Sequence, residues 1–387
     1  MRWEFGYTTT AQQIIFGAGA VTRLVEVVAP YDWQRLMLCT TPHLRENGSV
    51  DGVVATLGNQ LVAIYEEVEP HVPGYQVKEA VALAVEQEVE AVIGLGGGSA
   101  IGMAKAVSMT LEARRSGRGE ARAAYPTQQP LVPSVAIPTT YAGSEMTPVY
   151  GVTHTQPDGS TRKVTVRDEK VTPKVALYDP ELTLSLPPAL TASTGINALA
   201  HCIEAVYSRT RNPLSTSAAL RGIYHISRSL ARCYAHGNEL EARTEMQIGA
   251  HLGGTALATV EMGLHHGTGH VLGGTAGVPH GIANCIVLPH AIRFNATAVA
   301  PQLALAAEAM GIDHDGKSDE ALAYALADHL YDLIGQLEQP QRLRDVGVPR
   351  DLLPRLAENM LKSKAIANNP KPLTSVEQAL AYLEAMW

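Results

Sequence analysis

The spacing of apolar residues changes period once, near residue 180, and that change limits what the chain can fold into. Before it, short aliphatic runs (LMLC at 36–39, LVAIY at 61–65, AVIGL at 91–95, SVAI at 134–137 and KVALY at 174–178) alternate with longer segments. In those segments, such as 77–87 and 101–111, apolar positions recur at helical spacing. Strand-sized runs joined through helices predict a largely parallel sheet, which places ligands at the C-terminal ends of its strands. After Asp179-Pro180 the strand-like runs largely stop, and Ala, Leu, Glu and Arg at helical periodicity continue almost to Trp387. The expectation is an α/β N-terminal nucleotide-binding domain over 1–180 and an all-α C-terminal domain over 181–387. Pro188 should begin its first helix, with Thr191 or Ser193 as caps.

Composition removes several function classes. Hydrophobic residues at 46% and charged residues at 18% exclude disorder as the main state. Thirty Lys and Arg against thirty-eight Asp and Glu leave a net charge of -8, so no overall positive field attracts nucleic acid. The four cysteines are scattered and form no CxxC pair, which fits a reducing compartment. The N-terminal segment reads as no signal peptide, and no apolar run reaches membrane-spanning length, so a cytoplasmic protein without a membrane partner is expected. The polar stretch 113–130 reads as an exposed, mobile excursion.

Two loops invite a phosphate. In VEAVIGLGGGS (89–99) a buried strand runs into Gly96, Gly97 and Gly98 and then a helix starting near Ser99. Without Cβ atoms the backbone can approach an anion and aim its N–H groups at it, aided by the helix N-terminus. The spacing is not the G-x-G-x-x-G dinucleotide fingerprint, so a tight strand–helix turn is the competing reading. In IPTTYAGSE (137–145), Thr139, Thr140 and Ser144 supply hydroxyls suited to phosphate, ribose or amide contacts, or to a capped helix start. Gly17-Ala18-Gly19 reads as a turn.

Fourteen histidines are present, and several in the second half fall at usable spacings. Asn197 and His201 lie i,i+4 on one helix face, as do His266 and His270; His280 and His290 follow. Imidazoles from separate helices can converge on a divalent metal that polarises a carbonyl, or can themselves donate protons and hydrogen bonds to that oxygen. Spacing leaves both open. His265, adjacent to His266, is expected to point elsewhere.

Taken in order, IIFG, GGGSAIGMAKA, IPTTYAGSEMTP, LYDPELTLSLP, STGINALAHCIEA, GLHHGTGHVLGG, PHGIANCIVLPHAIRFN and NNPKPLT closely resemble the iron-containing alcohol dehydrogenase superfamily, most of all its maleylacetate reductase branch. The resemblance is nearly full-length. It implies the dehydroquinate synthase-like two-domain fold, an active cleft between the domains, NADH or NADPH as cofactor, and a homodimer. By resemblance, Gly96, Gly97, Gly98 and Ser99 match the pyrophosphate loop; Thr139, Thr140 and Ser144 match the second cofactor loop; and Lys163 approaches the cofactor. His201, His266 and His280 match metal-ligand positions, with iron or zinc as the ion, and His270 matches a further active-site histidine. Asn197 stands where metal-dependent alcohol dehydrogenases carry aspartate, which makes a bound metal conditional. Thr41 occupies the place of the acidic residue that holds the ribose in NAD-selective relatives, and His43 and Arg45 could accept an extra phosphate.

The function implied is hydride transfer to an unsaturated keto acid, maleylacetate, giving 3-oxoadipate, with His266, His270, His201 and Asn197 as catalytic residues. A metal-dependent alcohol or aldehyde dehydrogenase is the nearest alternative, supported by PHGIAN. A dehydroquinate-synthase-like lyase and a silent nucleotide-binding protein stand further off. A dicarboxylate needs cationic anchors, for which Arg209, Arg211, Arg221 and Arg293 are candidates.

Overall fold

In the computed structural model, which describes residues 4–9, 11–117, 122–125, 127–155 and 161–387 and leaves out the side chains of Thr161 and Lys163, the aliphatic runs of the first half pair edge to edge. The strands are β1 (Gln13–Phe16), β2 (Leu36–Cys39), β3 (Leu61–Tyr65), β4 (Ala91–Gly96), β5 (Ser134–Pro138), β6 (Val149–Thr155), β7 (Thr161–Arg167) and β8 (Val175–Tyr178). Six of them form one sheet in the order β1-β8-β5-β4-β2-β3, and every pairing in it is parallel. Side chains alternate between two cores: Leu36, Leu38, Ile93, Leu95, Val135 and Ile137 enter one, and Met37, Cys39 and Val92 the other. Burial on both faces is why these strands read as unbroken apolar runs.

From β2 the chain goes out to β3 and then returns past β2 to β4 and β5. Strand order therefore reverses between β2 and β4. A crevice at such a reversal, beyond the strand C-termini, is where open parallel sheets bind ligands. Here it lies at Cys39 and Gly96.

Two features escape the sequence reading. Strand β1 sits at the sheet edge with only the short, mostly exposed run Ile14-Ile15-Phe16, and the β6–β7 hairpin mixes polar residues among its apolar ones, so neither matches the buried runs of the other strands. Gly17 to Gly19 form a turn, where the amides of Gly19 and Val21 donate to the Asp179 carboxylate at 3.0 Å each. That clamp fastens the Pro180–Thr183 turn to the first half. By their contacts the described residues divide into one unit of Gly6–Leu186 and a second of Pro187–Trp387 with Glu4 and Phe5. The expected excursion at 113–130 falls partly on residues 118–121 and 126, outside the described residues. Residues 113–116 instead complete the helix Gly98–Ser116, and Glu112 accepts the Leu131 amide while pairing with buried Lys170 at 2.9 Å.

The second unit is helical, with no strand among the described residues. Its helix Pro188–Tyr207 is buried on all sides from Gly195 onward, and the helices Pro213–Ala235, Leu240–Thr259, His280–Asn295 and Ala300–Met310 pack around it. Pro188 is its first residue, as expected, but Thr191 is no cap: its hydroxyl accepts from buried Arg243 at 2.9 Å. No helix among the described residues is long and apolar enough to cross a membrane. All four cysteines are buried free thiols, and burial pushes those of Cys39 and Cys285 up to about 12, so neither is a ready nucleophile.

Strand β4 tests the packing. A Cβ at Gly94 would stand 2.9 Å from Ile101 Cα and 3.0 Å from the Ala100 carbonyl, both backbone of the helix that β4 feeds. Gly94→Ala should cost about 1–3 kcal/mol, read as a lower urea midpoint with unchanged denaturant sensitivity.

Candidate active site

The first part of the site is built at the sheet edge. Register brings Gly96 opposite Pro138, and the Thr139 amide donates to the Gly96 carbonyl at 3.1 Å, so the two loops leave the sheet side by side. Gly96 has φ +142, a backbone conformation open to glycine, and a Cβ at Gly97 would lie 3.0 Å from Thr140 Cγ2. Gly98, exposed and with nothing within 4 Å of a would-be Cβ, begins the 19-residue helix Gly98–Ser116. Open amides at the N-terminus of a long helix suit a pyrophosphate. Ser99 Oγ accepts the His71 amide at 3.3 Å, and Thr40 Oγ1 donates to the Leu95 carbonyl at 3.0 Å, holding the ends of β2 and β4 together. Thr41 follows at the start of the helix Pro42–Glu46, and Ser144 opens the short turn Ser144–Met146 after β5.

Thus Thr41, Gly96, Gly97, Gly98, Ser99, Thr139, Thr140 and Ser144 all lie on segments leaving the C-terminal ends of β2, β4 and β5. Lys163 stands in β7 opposite Thr153, and its side chain lies outside the described residues. Arg45 is held by Glu66 at 3.3 Å and Asp51 at 3.5 Å, so its charge is shared before any phosphate arrives.

The second part lies within the helical unit. Asn197 and His201, from the central helix, meet His265, His266 and His270 from the helix Leu264–Ala276 and His280 and Asn284 from the helix His280–Asn295. The rings of His201 and His266 stack with centroids 4.8 Å apart; His266 and His280 are 6.3 Å apart, and His270 and His280 stack at 5.6 Å. Asn197, His201 and His266 are 5%, 3% and 4% exposed, whereas His270 and His280 are exposed, so the cluster runs from a buried floor to an open mouth. Burial, followed by neighbouring imidazoles, holds His201 well below the usual histidine range; burial and then His270 push His266 down to about 3. Both rings are neutral near pH 7.

The proton positions follow from Glu204. Its carboxylate accepts the amides of Gly263 (2.9 Å), His265 (3.1 Å) and His266 (3.3 Å), and His266 Nδ1 stands 2.6 Å from it. Nδ1 of His266 therefore carries the proton, and Nε2 is left as a bare lone pair. His265 continues the chain: its Nδ1 faces His266 Nδ1 at 3.2 Å and its Nε2 faces the Asn284 carbonyl at 3.2 Å. The expectation that His265 points away is corrected here, because both histidines occupy the first helical turn above one carboxylate. Glu204, His265 and Asn284 are the residues that sequence reasoning missed. Glu204 was findable, since it follows Asn197 by seven and His201 by three on one helix face.

His201 Nδ1 and His266 Nε2 are buried nitrogens with no hydrogen-bond partner among the described residues. Two orphaned neutral imidazole nitrogens beside a third ring, His280, are a donor set that suits a divalent transition metal. Glu204, His265 and His266 are also close enough to suggest a metal site, but the Glu204 carboxylate, both His265 nitrogens and His266 Nδ1 already face one another or backbone. Asn197 is the weaker ligand: its Oδ1 accepts from Asn284 Nδ2 at 2.5 Å.

Other expected partners lie elsewhere. Arg293 pairs with Asp328, Arg221 lies 4.2 Å from the Tyr224 ring, and Arg211 donates to the Ser208 carbonyl at 3.3 Å. His290 lines a separate cavity of about 400 Å³ with Tyr331, Gln341 and Trp387.

Comparison with known proteins places these two parts in one lineage. The iron-containing alcohol dehydrogenase profile matches residues 11–180, and the C-terminal profile of the Fe-containing alcohol dehydrogenase family matches 191–387. A maleylacetate reductase of Sphingobium indicum is 35% identical over 96% of this chain and 94% of its own length. The crystal structure of maleylacetate reductase from Agrobacterium tumefaciens superposes with a TM-score of 0.82 at 30% identity, covering 100% of this chain and 99% of that one. That of 1,3-propanediol oxidoreductase does so with a TM-score of 0.89 at 30% identity, covering 100% of both. A parallel sheet with a glycine-lined crevice, a helical unit with converging histidines, and full-length similarity to such enzymes lead to one conclusion: the chain belongs to the iron-containing alcohol dehydrogenase family and is an oxidoreductase.

Proposed function

We propose that the protein is a maleylacetate reductase that uses NADH or NADPH to convert maleylacetate into 3-oxoadipate. The observation that carries this reading is the neutral amide of Asn197, hydrogen-bonded to Asn284 on the floor of the histidine cluster. The carboxylate closest to the cluster, Glu204, is filled by backbone amides and His266. A dianionic substrate thus meets imidazoles and amides, where an aspartate at position 197 would repel it. The Sphingobium and Agrobacterium relatives bearing this name support the reading.

In this mechanism the amides of Gly96, Gly97 and Gly98 hold the pyrophosphate, and Thr139, Thr140 and Ser144 contact the rest of the dinucleotide. His201, His266 and His280 would hold a divalent ion. When bound, the reduced nicotinamide supplies a hydride and the ion draws electron density from the ketone oxygen. Addition of that hydride at the alkene carbon remote from the ketone would place negative charge on the ketone oxygen, which is the charge the surrounding residues have to stabilise. His270, at the exposed mouth, donates a hydrogen bond to that oxygen, and a proton delivered to the carbon beside the ketone completes 3-oxoadipate. Glu204 keeps His266 in a single tautomer throughout.

Purified protein should oxidise NADH or NADPH with maleylacetate, each tested after chelation and after zinc or iron addition; no turnover under any condition rejects the reading. The three imidazoles also fit a metal-dependent alcohol or aldehyde oxidoreductase, so turnover confined to an aldehyde panel and to metal-loaded protein would put that reading in its place. A steady change in nicotinamide absorbance excludes a lyase that regenerates its cofactor. Asn197→Asp should raise zinc retained after dialysis, measured by plasma emission, and lower kcat/KM for maleylacetate by about tenfold or more through charge repulsion. Glu204→Gln places an NH₂ or a neutral oxygen against three amides and His266, and should weaken zinc binding roughly 10–100-fold in titrations against a chromophoric chelator.

A further inference from the structure

Lys105 is buried and makes no ion pair among the described residues, and nothing in the reaction above uses it. It lies on the helix Gly98–Ser116, two turns below the glycines that open that helix. Its Nζ donates to the backbone carbonyls of Ser144 at 2.6 Å, Thr147 at 2.7 Å and Val149 at 3.0 Å, with Thr147 Oγ1 at 3.4 Å. A neutral amine has two N–H groups and an ammonium has three. Three carbonyls at these distances therefore require the charged form. Burial draws its pKa down to about 7, and Glu145 acts in the opposite direction.

Ser144 belongs to the second loop, and Thr147 and Val149 to the residues that carry it into β6. The same stretch is also held through Glu145: the Tyr178 hydroxyl donates to its carboxylate at 3.0 Å, and the Gln12 amide donates to its carbonyl at 2.8 Å. One helix thus presents the glycine loop at its N-terminus and, from its third turn, grips the loop that carries Thr139, Thr140 and Ser144.

We propose that Lys105 is a positioning residue for the dinucleotide: its ammonium, capped by the carbonyls of Ser144, Thr147 and Val149, sets the second loop at a fixed distance from the glycine loop. It acts through the loop and touches no reacting atom. The inference rests on the nucleotide-binding half of the function proposed above and is independent of the substrate.

The test measures NADH binding by fluorescence, without maleylacetate, on Lys105→Met, which keeps the stem but donates nothing, and on Lys105→Ala. Both should weaken NADH binding on the order of tenfold to a hundredfold, raise KM for NADH more than they lower kcat, and leave zinc binding at the histidine cluster unchanged. In Lys105→Ala, propylammonium should restore NADH affinity, because it brings three N–H donors into the vacated space. Tetramethylammonium, equally charged but without N–H, should not. Hydrogen exchange of amides in 139–149 should quicken in Lys105→Met, which reports on the loop even if the alanine variant folds poorly. Wild-type NADH affinity and loop exchange in Lys105→Met overturn the proposal, as does equal rescue by both cations. A wild-type protein that binds NADH but ignores maleylacetate defeats the substrate reading alone.

Discussion

A single buried carboxylate organises the helical half. Glu204 is 1% exposed, and burial raises its pKa, while His265 and the amides of Gly263, His266 and His265 oppose the rise. Those amides belong to the first turn of the helix Leu264–Ala276, whose unsatisfied N–H groups and positive dipole end would otherwise be costly inside a core. Carboxylate and helix end solve each other's desolvation. Once they are locked, His265 and His266 have no freedom in ring position or tautomer, and the lone pair of His266 Nε2 is aimed by default. The stacked His201 and the amide pair of Asn197 and Asn284 then line a floor already fixed.

The same economy operates in the first unit. The helix Gly98–Ser116 starts at the glycines proposed to hold the pyrophosphate, and from its side Lys105 donates to carbonyls of the neighbouring segment. An ammonium surrounded by carbonyl oxygens is a tolerable buried charge because its three protons are all bonded. Both halves therefore use a buried ionisable group, hydrogen-bonded mainly to backbone, to fix a segment that bears candidate site residues. Backbone acceptors and donors are rigid, so they position better than another flexible side chain would.

Legibility in the sequence followed burial. Strands β2, β3, β4, β5 and β8 are written as apolar runs of four or more residues, whereas β1 offers only the short, mostly exposed Ile14-Ile15-Phe16 and the β6–β7 hairpin mixes polar residues among its apolar ones. The glycine and threonine loops were legible because only small residues permit the approach of Gly97 to Thr140. Asn197, His201, His266, His270 and His280 were legible as chemistry and by resemblance. Glu204 could be found only through its helical spacing to Asn197 and His201, and Lys105 not at all, since a Glu and a Lys on helices ordinarily read as solvated faces.

Residue order alone determined the two periodicities, the strand ends on which anion-binding amides could sit, and the supply of imidazoles, because each of these depends on neighbours within a few positions. Tertiary structure decided which polar groups meet in the dry interior: that His265 joins His266 above Glu204, that Asn284 occupies the oxygen of Asn197, and that Lys105 faces carbonyls some forty residues away. Such pairings are imposed by desolvation, which penalises every unmatched donor and acceptor only after distant segments have closed over it, and local sequence carries no record of that closure.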